Sequence, residues 1–283
     1  MRVLVTGYTG QLGYDVVQEG IKKGIEMYGI GSKDVDITNE LKIKSLVKEV
    51  SPDAIIHCAA YTAVDKAEDD KETCWNVNVE GTKYLAQAAK ELNAKFMYIS
   101  TDYVFDGKGK TPFKEDDLPN PIGYYGLTKF EGEKVVKELL NNWFIVRISW
   151  VFGINGNNFI KTMLRLSETR TELNVVGDQF GSPTYTYDLA RLLIDMIQSE
   201  KYGIYHATNE GFCSWSDFAK EIFKVANKEV IVNPIATEEY PTRAVRPKNS
   251  RLSKQKLIEN GFKSLPTWED ALKRYIKELV EVK

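Results

Sequence analysis

The segment RVLVTGYTGQLG, residues 2–13, combines a short apolar run with three glycines. RVLVT is typical of a buried strand, and the amphipathic pattern that begins at Gln11 is typical of a helix. Gly7, Gly10 and Gly13 therefore lie between a strand and a helix, at the spacing GxxGxxG. Glycines there let the backbone approach a pyrophosphate, which the free N–H groups of the helix N-terminus bind. The segment predicts a dinucleotide site, and the alternative is an ordinary glycine turn.

The first half of the chain repeats this alternation of strand and helix. Short apolar runs predict further strands at IEMYGI, DAIIHCAA, KFMYIS and WFIVRIS. Apolar residues at helical spacing predict helices over 11–23, 38–50, 72–92 and 124–140, the second capped by Thr38 or Asn39. Such alternation implies parallel strands joined by right-handed helical crossovers. We therefore expect an α/β fold, a Rossmann-type doubly wound parallel sheet with helices on both faces.

The second half of the chain follows a looser pattern. NVVGDQFGSPTYTYDLARLLIDMI predicts a loop and then a helix, and SWSDFAKEIFKVAN predicts a helix capped by Ser214. TRAVRPKNSRLSKQKL is irregular and basic, and a last helix is expected from Trp268. Few strands are predicted there. We expect residues 1–150 to form the cofactor domain, with later segments returning to it, and residues 151–283 to form mainly a smaller C-terminal substrate-binding lobe.

Composition and charge exclude several classes of protein. The 283 residues carry a net charge of −2, so no overall basic field recruits nucleic acid. No apolar run is long enough to cross a membrane, and the N-terminal segment lacks the features of a signal peptide. The three separated cysteines suit a reducing cytoplasm, where we expect the protein. His57 and His206 are the only histidines, and they indicate neither a metal site nor a Ser-His-Asp triad.

Two segments carry candidate catalytic side chains. Thr101 follows the predicted fourth strand, and ligands of doubly wound folds bind outside the carboxyl ends of strands. Tyr125 and Lys129, four residues apart, share one face of the next helix. A neighbouring cation lowers the pKa of a phenol and makes it a usable proton donor near neutral pH. A lone Tyr-x-x-x-Lys is usually a surface pair, but the glycine loop upstream favours the catalytic interpretation.

These three side chains predict a ketone reduction. A hydride delivered to a ketone carbon leaves an oxyanion that needs a proton. We expect Tyr125 to give that proton and Thr101 to hydrogen-bond the oxygen. Lys129 would tune the phenol and bind the nicotinamide ribose.

The residues after the second predicted strand, GIGSKDVDIT, bear on the choice of cofactor. No carboxylate stands directly at the strand end, where it would bind the 2′-hydroxyl of NADH and repel a 2′-phosphate. Ser32 and Lys33 can contact a phosphate instead, and the alternative for Lys33 is a solvated surface lysine. We expect NADPH to be somewhat favoured and NADH also to be used.

Several motifs resemble those of a known family. The glycine loop, HCAAYTAVDKAE, NVNVEGT, STDYVFDG and YYGLTKFEGE resemble the extended short-chain dehydrogenase/reductases. The closer similarity is to the dTDP-4-dehydrorhamnose reductase family, and RISWVFG, DQFGSPTYTYDLA and RPKNSRLS extend it over nearly the whole chain. The resemblance implies reduction of the C4 ketone of dTDP-4-dehydro-L-rhamnose to dTDP-L-rhamnose with NADPH or NADH. The partner implied is the nucleotide sugar, and the protein is expected to be a monomer or a homodimer.

The resemblance also implies roles for individual residues. The catalytic residues are Thr101, Tyr125 and Lys129. The residues around the cofactor are Gly7, Gly10, Gln11, Leu12, Gly13, Asp36, Ile37, Ala59, Ala60, Tyr61, Asn78, Tyr125 and Lys129. The residues that meet the substrate are Thr62, Val64, Thr101, Asp102, Tyr103 and Trp150. Asn78 can also be an ordinary helix-interior asparagine, and Trp150 can be core.

One departure from related enzymes is informative. Sugar-nucleotide dehydratases of the superfamily carry an Asp-Glu pair after the catalytic threonine, whereas this chain has Asp102 and Tyr103. The missing glutamate disfavours elimination of water.

Some bacterial members of the reductase family use a magnesium ion between subunits, and Asp15 falls near one such place. An exposed aspartate on the first helix needs no metal, however, and we expect no metal site.

The basic segment TRAVRPKNSRLSKQK is the expected site for the diphosphate of the substrate. It contains Arg243, Arg246, Lys248, Arg251, Lys254 and Lys256 and no acid. An arginine can bind a diphosphate through two parallel hydrogen bonds. Arg246 is the first choice because Pro247 stiffens its loop. Most of these cations are otherwise a solvated charge run.

Two alternative functions stay open at this point. A reductase of a different 4-keto nucleotide sugar would need the same catalytic groups. A non-catalytic regulatory subunit, similar to that of methionine adenosyltransferase, would need only the cofactor site. The presence of Thr101, Tyr125 and Lys129 together favours an enzyme.

Overall fold

The computed structural model describes residues 1–281 and is built on a six-stranded parallel sheet. Its strands are β1 (Arg2–Thr6), β2 (Glu26–Ile30), β3 (Ala54–His57), β4 (Lys95–Thr101), β5 (Trp143–Ile148) and β10 (Gly203–His206), in the spatial order β10-β5-β4-β3-β1-β2. Every neighbouring pair in it is parallel. The predicted α/β doubly wound fold is confirmed, and each strand predicted in the first half overlaps an observed one.

Helices cover both faces of this sheet. On one face lie α1 (Gln11–Lys22) and α7 (Thr186–Ile197), and on the other lie α2 (Glu40–Val50), α4 (Gly81–Glu91) and α5 (Tyr124–Leu139). Successive strand residues point to opposite faces. In β1, Val3 and Val5 therefore pack with the first group of helices, while Leu4 packs with the second. Asn39 caps α2, as predicted, because its side chain accepts a hydrogen bond from the Lys42 backbone N–H at 3.0 Å.

The long helix predicted over 72–92 is interrupted. It consists of α3 (Lys71–Trp75), a π-helical turn (Asn76–Glu80) and then α4. Turns of this kind are rare and often lie at functional sites. This turn carries Asn78, whose side chain is buried. Apolar spacing alone did not distinguish the wider turn from an ordinary helix.

The second half of the chain contains more strands than expected. Its elements besides α7 and β10 are β6 (Val151–Phe152), α6 (Phe159–Leu166), β7 (Glu172–Val176), β8 (Phe180–Gly181), β9 (Thr184–Tyr185), β11 (Cys213–Ser214), α8 (Trp215–Val225), β12 (Ile231–Ile235), β13 (Asn249–Ser250), α9 (Gln255–Glu259) and α10 (Trp268–Glu281). The loop predicted from residue 174 was wrong at its start, since NVV belongs to β7. That strand pairs with β12, more than fifty residues away, so the local sequence does not predict the pairing. Ser214 caps α8 as predicted.

The order of the strands creates a crevice at the carboxyl ends of the strands. From β1 the chain proceeds to β2 on one side, and β3 returns to pair with β1 on the other side. In open α/β sheets, ligands bind at the carboxyl ends of the strands where the order reverses in this way. The glycine loop follows β1 and the segment from Cys58 follows β3. The two loops therefore meet at the point where this fold binds ligands.

Candidate active site

A cleft of about 940 Å³ opens at the carboxyl ends of β1 to β5. Its volume lies at the upper end of the usual range for ligand pockets. The residues singled out from the sequence that line it are Gly7, Gly10, Gln11, Leu12, Gly13, Asp36, Ile37, Ala59, Ala60, Thr62, Val64, Thr101, Asp102, Tyr103, Tyr125, Lys129 and Trp150. Tyr61, Asn78 and Arg246 lie outside this lining. The cleft thus brings together the three catalytic candidates and all the predicted cofactor residues except Tyr61 and Asn78.

The glycine loop has the shape of a pyrophosphate cradle. Gly7 has a φ of +70°, and a Cβ atom on it would lie 2.7 Å from the Ala59 backbone nitrogen. A Cβ atom on Gly13 would lie 2.4 Å from the Gly7 carbonyl oxygen. No side chain caps the N-terminus of α1, where Gly10 is the N-cap residue. The residues present therefore fit a dinucleotide, because the uncapped helix N-terminus can bind its phosphates.

The carboxylates in the segment after β2 accept hydrogen bonds from other residues of the same segment. Asp34 accepts a hydrogen bond from the Gly31 backbone N–H at 2.7 Å. Asp36 accepts two from Thr38, from its backbone N–H at 2.9 Å and from its hydroxyl at 2.7 Å, and these bonds lower the pKa of Asp36. Ser32 lines the cleft and Lys33 is exposed. The segment after β2 therefore presents Ser32 and Asp36 to the cleft, whereas Lys33 is not part of its lining.

The three candidate catalytic side chains are largely buried and line the cleft. Thr101 ends β4, and Tyr125 and Lys129 lie in the first turns of α5; all three are at least nine-tenths buried. The Lys129 ammonium lies 4.0 Å from the centre of the Tyr98 ring. Burial lowers the pKa of Lys129 to about 7, while Glu133 and two thiols act in the opposite direction. An amine so placed is poised to lose or keep its proton near neutral pH.

The phenol of Tyr125 behaves differently from the sequence-based expectation. Burial raises the pKa of Tyr125 well above its ordinary value, although the neighbouring Thr101 hydroxyl acts in the opposite direction. Burial favours the neutral form of both groups, so it raises the pKa of Tyr125 and lowers the pKa of Lys129. The prediction that Lys129 lowers the pKa of Tyr125 was therefore wrong for this structure. The phenol is therefore held protonated. A group in that state can donate a proton to an oxyanion.

Thr101 is held by its immediate neighbours. Its hydroxyl donates to Asp102 Oδ1 at 3.1 Å and accepts from the Tyr103 backbone N–H at 3.2 Å. Asp102 is buried, and burial raises the pKa of its carboxyl to about 6. The ring of Tyr103 meets that of Tyr125 edge to face, with their centres 5.6 Å apart. Asp102 and Tyr103 therefore fix the two groups expected to contact the substrate carbonyl.

Asn78 contacts the loop after β3 and not the open cleft. Its amide oxygen accepts from the Tyr61 backbone N–H at 2.8 Å, and its amide nitrogen donates to the Tyr61 carbonyl at 3.2 Å. The same nitrogen donates to the Thr128 hydroxyl at 3.0 Å. The side chain thus connects α5 to the loop that carries Ala59 and Ala60. In this structure Asn78 holds the loop after β3 in place and does not line the cleft itself.

An aromatic pair forms one wall of the cleft. Trp150 has a φ of +48°, which is the left-handed region, and its ring stacks on Trp215 with centres 3.6 Å apart. Both tryptophans line the cleft. Trp150 is half-buried and faces the cleft, so it is more than core. Sequence reasoning missed Trp215, because nothing in SWSDF connects it with a strand end more than sixty residues earlier.

Asp15 is not the exposed residue that was expected. Only 9% of it is exposed, because α7 packs over α1, and its carboxylate accepts a hydrogen bond from the Thr186 hydroxyl. Burial raises the pKa of Asp15 to about 6.

Residues 1–281 contain no group of three or more metal-binding side chains. Within the same range, no helix is both long and apolar enough to span a membrane.

Comparison with known proteins relates this chain to a family. The model of the RmlD substrate binding domain family matches residues 1–281. A dTDP-4-dehydrorhamnose reductase from Aggregatibacter actinomycetemcomitans is 43% identical, over 96% of this chain and 97% of its own length. The crystal structure of such a reductase from Clostridium acetobutylicum superimposes with a TM-score of 0.97 at 44% identity, covering 99% of this chain and 100% of that one. The enzyme from Bacillus anthracis, solved in complex with NADP, has a TM-score of 0.96 at 45% identity, with coverages of 98% and 99%.

Proposed function

The chain belongs to the dTDP-4-dehydrorhamnose reductase family of oxidoreductases, and we propose that it reduces the C4 ketone of dTDP-4-dehydro-L-rhamnose to give dTDP-L-rhamnose. The observation that carries the proposal is the buried group of Thr101, Tyr125 and Lys129 at the strand ends, beside a glycine loop that fits a dinucleotide. NADPH or NADH, bound in the cleft, supplies the hydride to C4. The chain itself supplies the proton and holds the carbonyl.

Each catalytic side chain has one task in this scheme. Tyr125 donates its phenolic proton to the C4 oxygen as the hydride adds to carbon, so a ketone becomes an alcohol with hydride and proton both accounted for. Thr101 hydrogen-bonds the same oxygen and stabilises the charge that develops on it. Lys129, whose pKa is about 7, holds the nicotinamide ribose and donates a hydrogen bond in its ammonium form. Their burial excludes water from the developing alkoxide.

The surrounding residues bind the two ligands in separate parts of the cleft. The glycine loop and the segments that follow β2 and β3 hold the cofactor, and Asn78 supports the last of these. The residues that meet the deoxysugar nucleotide are Thr62, Val64, Asp102, Tyr103 and Trp150, and Trp215 stacks on Trp150 in the same wall. We also propose that residues 1–150, joined by α7 and β10, form the cofactor domain, and that residues 151–283 form mainly the substrate lobe.

The direct test is turnover with a panel of 4-keto nucleotide sugars. The protein is incubated with NADPH or NADH and each sugar, and the loss of reduced nicotinamide is followed by its absorbance. Fast oxidation with dTDP-4-dehydro-L-rhamnose is the expected result. Oxidation only with a different sugar would favour the alternative reductase. Cofactor binding without oxidation of any sugar would favour a regulatory subunit.

Lys33→Glu tests the choice of cofactor. A carboxylate placed after β2 repels a 2′-phosphate and can accept a hydrogen bond from a 2′-hydroxyl. We expect both cofactors to be used by the wild type and KM for NADPH to rise more than KM for NADH in the variant. Steady-state kinetics with each cofactor measure this difference. An equal change for both would mean that Lys33 is a surface lysine without contact to the ribose.

Arg246→Ala tests the placement of the diphosphate. The diphosphate keeps its charge during hydride transfer, so a contact to it serves ground state and transition state alike. KM for the nucleotide sugar should rise about tenfold to hundredfold with little change in kcat, as the loss of a hydrogen bond to a charged group implies. Arg246→Lys should recover only part of this, since a point charge lacks the planar fork.

Arg243→Ala is the matched control for that variant. Arg243 belongs to the same segment but is largely exposed and pairs with Asp69. Its loss should leave KM for the nucleotide sugar near the wild-type value. If Arg246→Ala instead raised the KM of the cofactor and left that of the sugar unchanged, the segment would bind the other ligand.

A further inference from the structure

The segment 242–247 lies against the segment 65–69 through three polar contacts. Arg246 pairs with Asp65, and Arg243 pairs with Asp69 at 2.6 Å. Between these ion pairs, the Ala244 backbone N–H donates to Asp65 Oδ1 at 3.0 Å. Asp65 directly follows Val64, which lines the cleft. The two segments therefore meet at the substrate end of the cleft.

The two ion pairs differ in their position relative to the reacting groups. The Arg246 side chain is 23% exposed and also donates to the Tyr103 hydroxyl at 3.0 Å. Tyr103 in turn packs against Tyr125. The Arg243 side chain is 66% exposed and has its hydrogen bonds to Asp69. Only the inner pair is connected to the proton donor.

Arg246 already has a carboxylate partner in this structure. One of its terminal nitrogens is bound to Asp65 and the other to Tyr103. A diphosphate that binds in a planar, two-bond manner uses at least one of those nitrogens and so meets a partner already in place. The carboxylate and the diphosphate are both anions, so they cannot share the guanidinium without repulsion.

We propose that Asp65 is an internal counter-ion of Arg246 that competes with the diphosphate of a nucleotide sugar, and that Asp65 thereby sets the affinity of the site for this group. The inference rests on the proposed function, because it assumes that the substrate carries a diphosphate at Arg246. Binding then exchanges one anion for another on the guanidinium. Asp65 is free to turn outward when displaced, since its side chain is 45% exposed.

The competition has a functional consequence for turnover. Substrate and product carry the same diphosphate, so a tighter hold on it binds both equally and does not accelerate the chemical step. An internal competitor weakens the hold on both. It therefore favours release of the product and leaves the barrier of hydride transfer within the bound complex unchanged.

Asp65→Asn isolates this effect. The amide oxygen of asparagine can still accept the Ala244 N–H, but the charge that binds Arg246 is lost. The dissociation constant for dTDP, measured by calorimetry, should fall about threefold to tenfold, the range of one net hydrogen bond. The dissociation constant for NADPH should not change, which distinguishes the substrate diphosphate from the pyrophosphate of the cofactor. Asp65→Ala should show the same tightening if the asparagine variant does not fold.

Two comparisons complete the experiment. Asp69→Asn removes the same charge from the outer pair and should leave dTDP affinity unchanged. In the Arg246→Ala background, Asp65→Asn should no longer tighten dTDP binding, because the shared guanidinium is absent. Unchanged or weaker dTDP binding in Asp65→Asn, or tightening that persists without Arg246, would overturn the inference. Turnover of dTDP-4-dehydro-L-rhamnose by the wild type tests the proposed function separately, so the two can fail independently.

Discussion

Tyr125→Phe is expected to lower kcat by about 10²–10⁴, which is the usual contribution of a positioned general acid. The substitution removes only the phenolic oxygen. The ring keeps its packing against Tyr103 and the fold is retained. Because burial keeps the phenol protonated, the wild-type side chain carries the proton that the reduced oxygen needs. The measurement is kcat under saturating cofactor and nucleotide sugar, together with the dissociation constant for NADPH, which should survive.

Tyr124→Phe is the control for this variant. Tyr124 precedes Tyr125 on the same helix, but it is half-buried and its ring lies near the Lys71 ammonium. The loss of its hydroxyl should leave kcat close to the wild-type value. If Tyr125→Phe also turned over at a near-wild-type rate, Tyr125 would not be the proton donor.

Glu133→Gln is expected to destabilise the folded protein by about 3–5 kcal/mol, the usual cost of leaving one partner of a buried ion pair unpaired. Glu133 on α5 and Arg147 on β5 are almost fully buried, and two hydrogen bonds of 2.8 Å join them. The Ser100 hydroxyl on β4 donates to the same carboxylate at 2.6 Å. Neutralising Glu133 leaves the Arg147 charge without a counter-charge in the interior. The pair therefore ties the helix of Tyr125 and Lys129 to the sheet.

Urea unfolding measures this loss, and two variants control it. Glu131→Gln removes a carboxylate from the same helix, but Glu131 pairs with Lys134 near the surface and should change stability by less than about 1 kcal/mol. The double variant Glu133→Met with Arg147→Leu should be less destabilised than Glu133→Gln, because no buried charge remains. Equal stability of Glu133→Gln and Glu131→Gln would show that the interior pair has no special role.

The sequence was informative where structure follows from local pattern. Each strand predicted in the first half, from RVLVT to WFIVRIS, overlaps an observed strand, because a short apolar run between turns has few other stable conformations. The glycine loop was recognisable because two of its positions favour glycine. Gly7 has a positive φ, and a side chain on Gly13 would collide with the Gly7 carbonyl oxygen. Tyr125 and Lys129 were predicted to share a helix face by their spacing alone. Together these patterns predicted the fold, the glycine loop and the three catalytic candidates, whereas most other residues of the cleft lining were implied by the resemblance to a known family.

The tertiary structure decided features that depend on residues far apart in the chain. The pairing of β7 with β12, the stacking of Trp215 on Trp150 and the burial of Asp15 under α7 all join distant segments. The pKa of Tyr125 followed burial and not the neighbouring charge that spacing suggested. Arg246 was identified from its segment, but its pairing with Asp65 became visible only when two loops met. The local sequence pattern specifies backbone conformation over a few residues. The burial of a side chain and its hydrogen-bond or ion-pair partners depend instead on which distant segments the fold brings into contact.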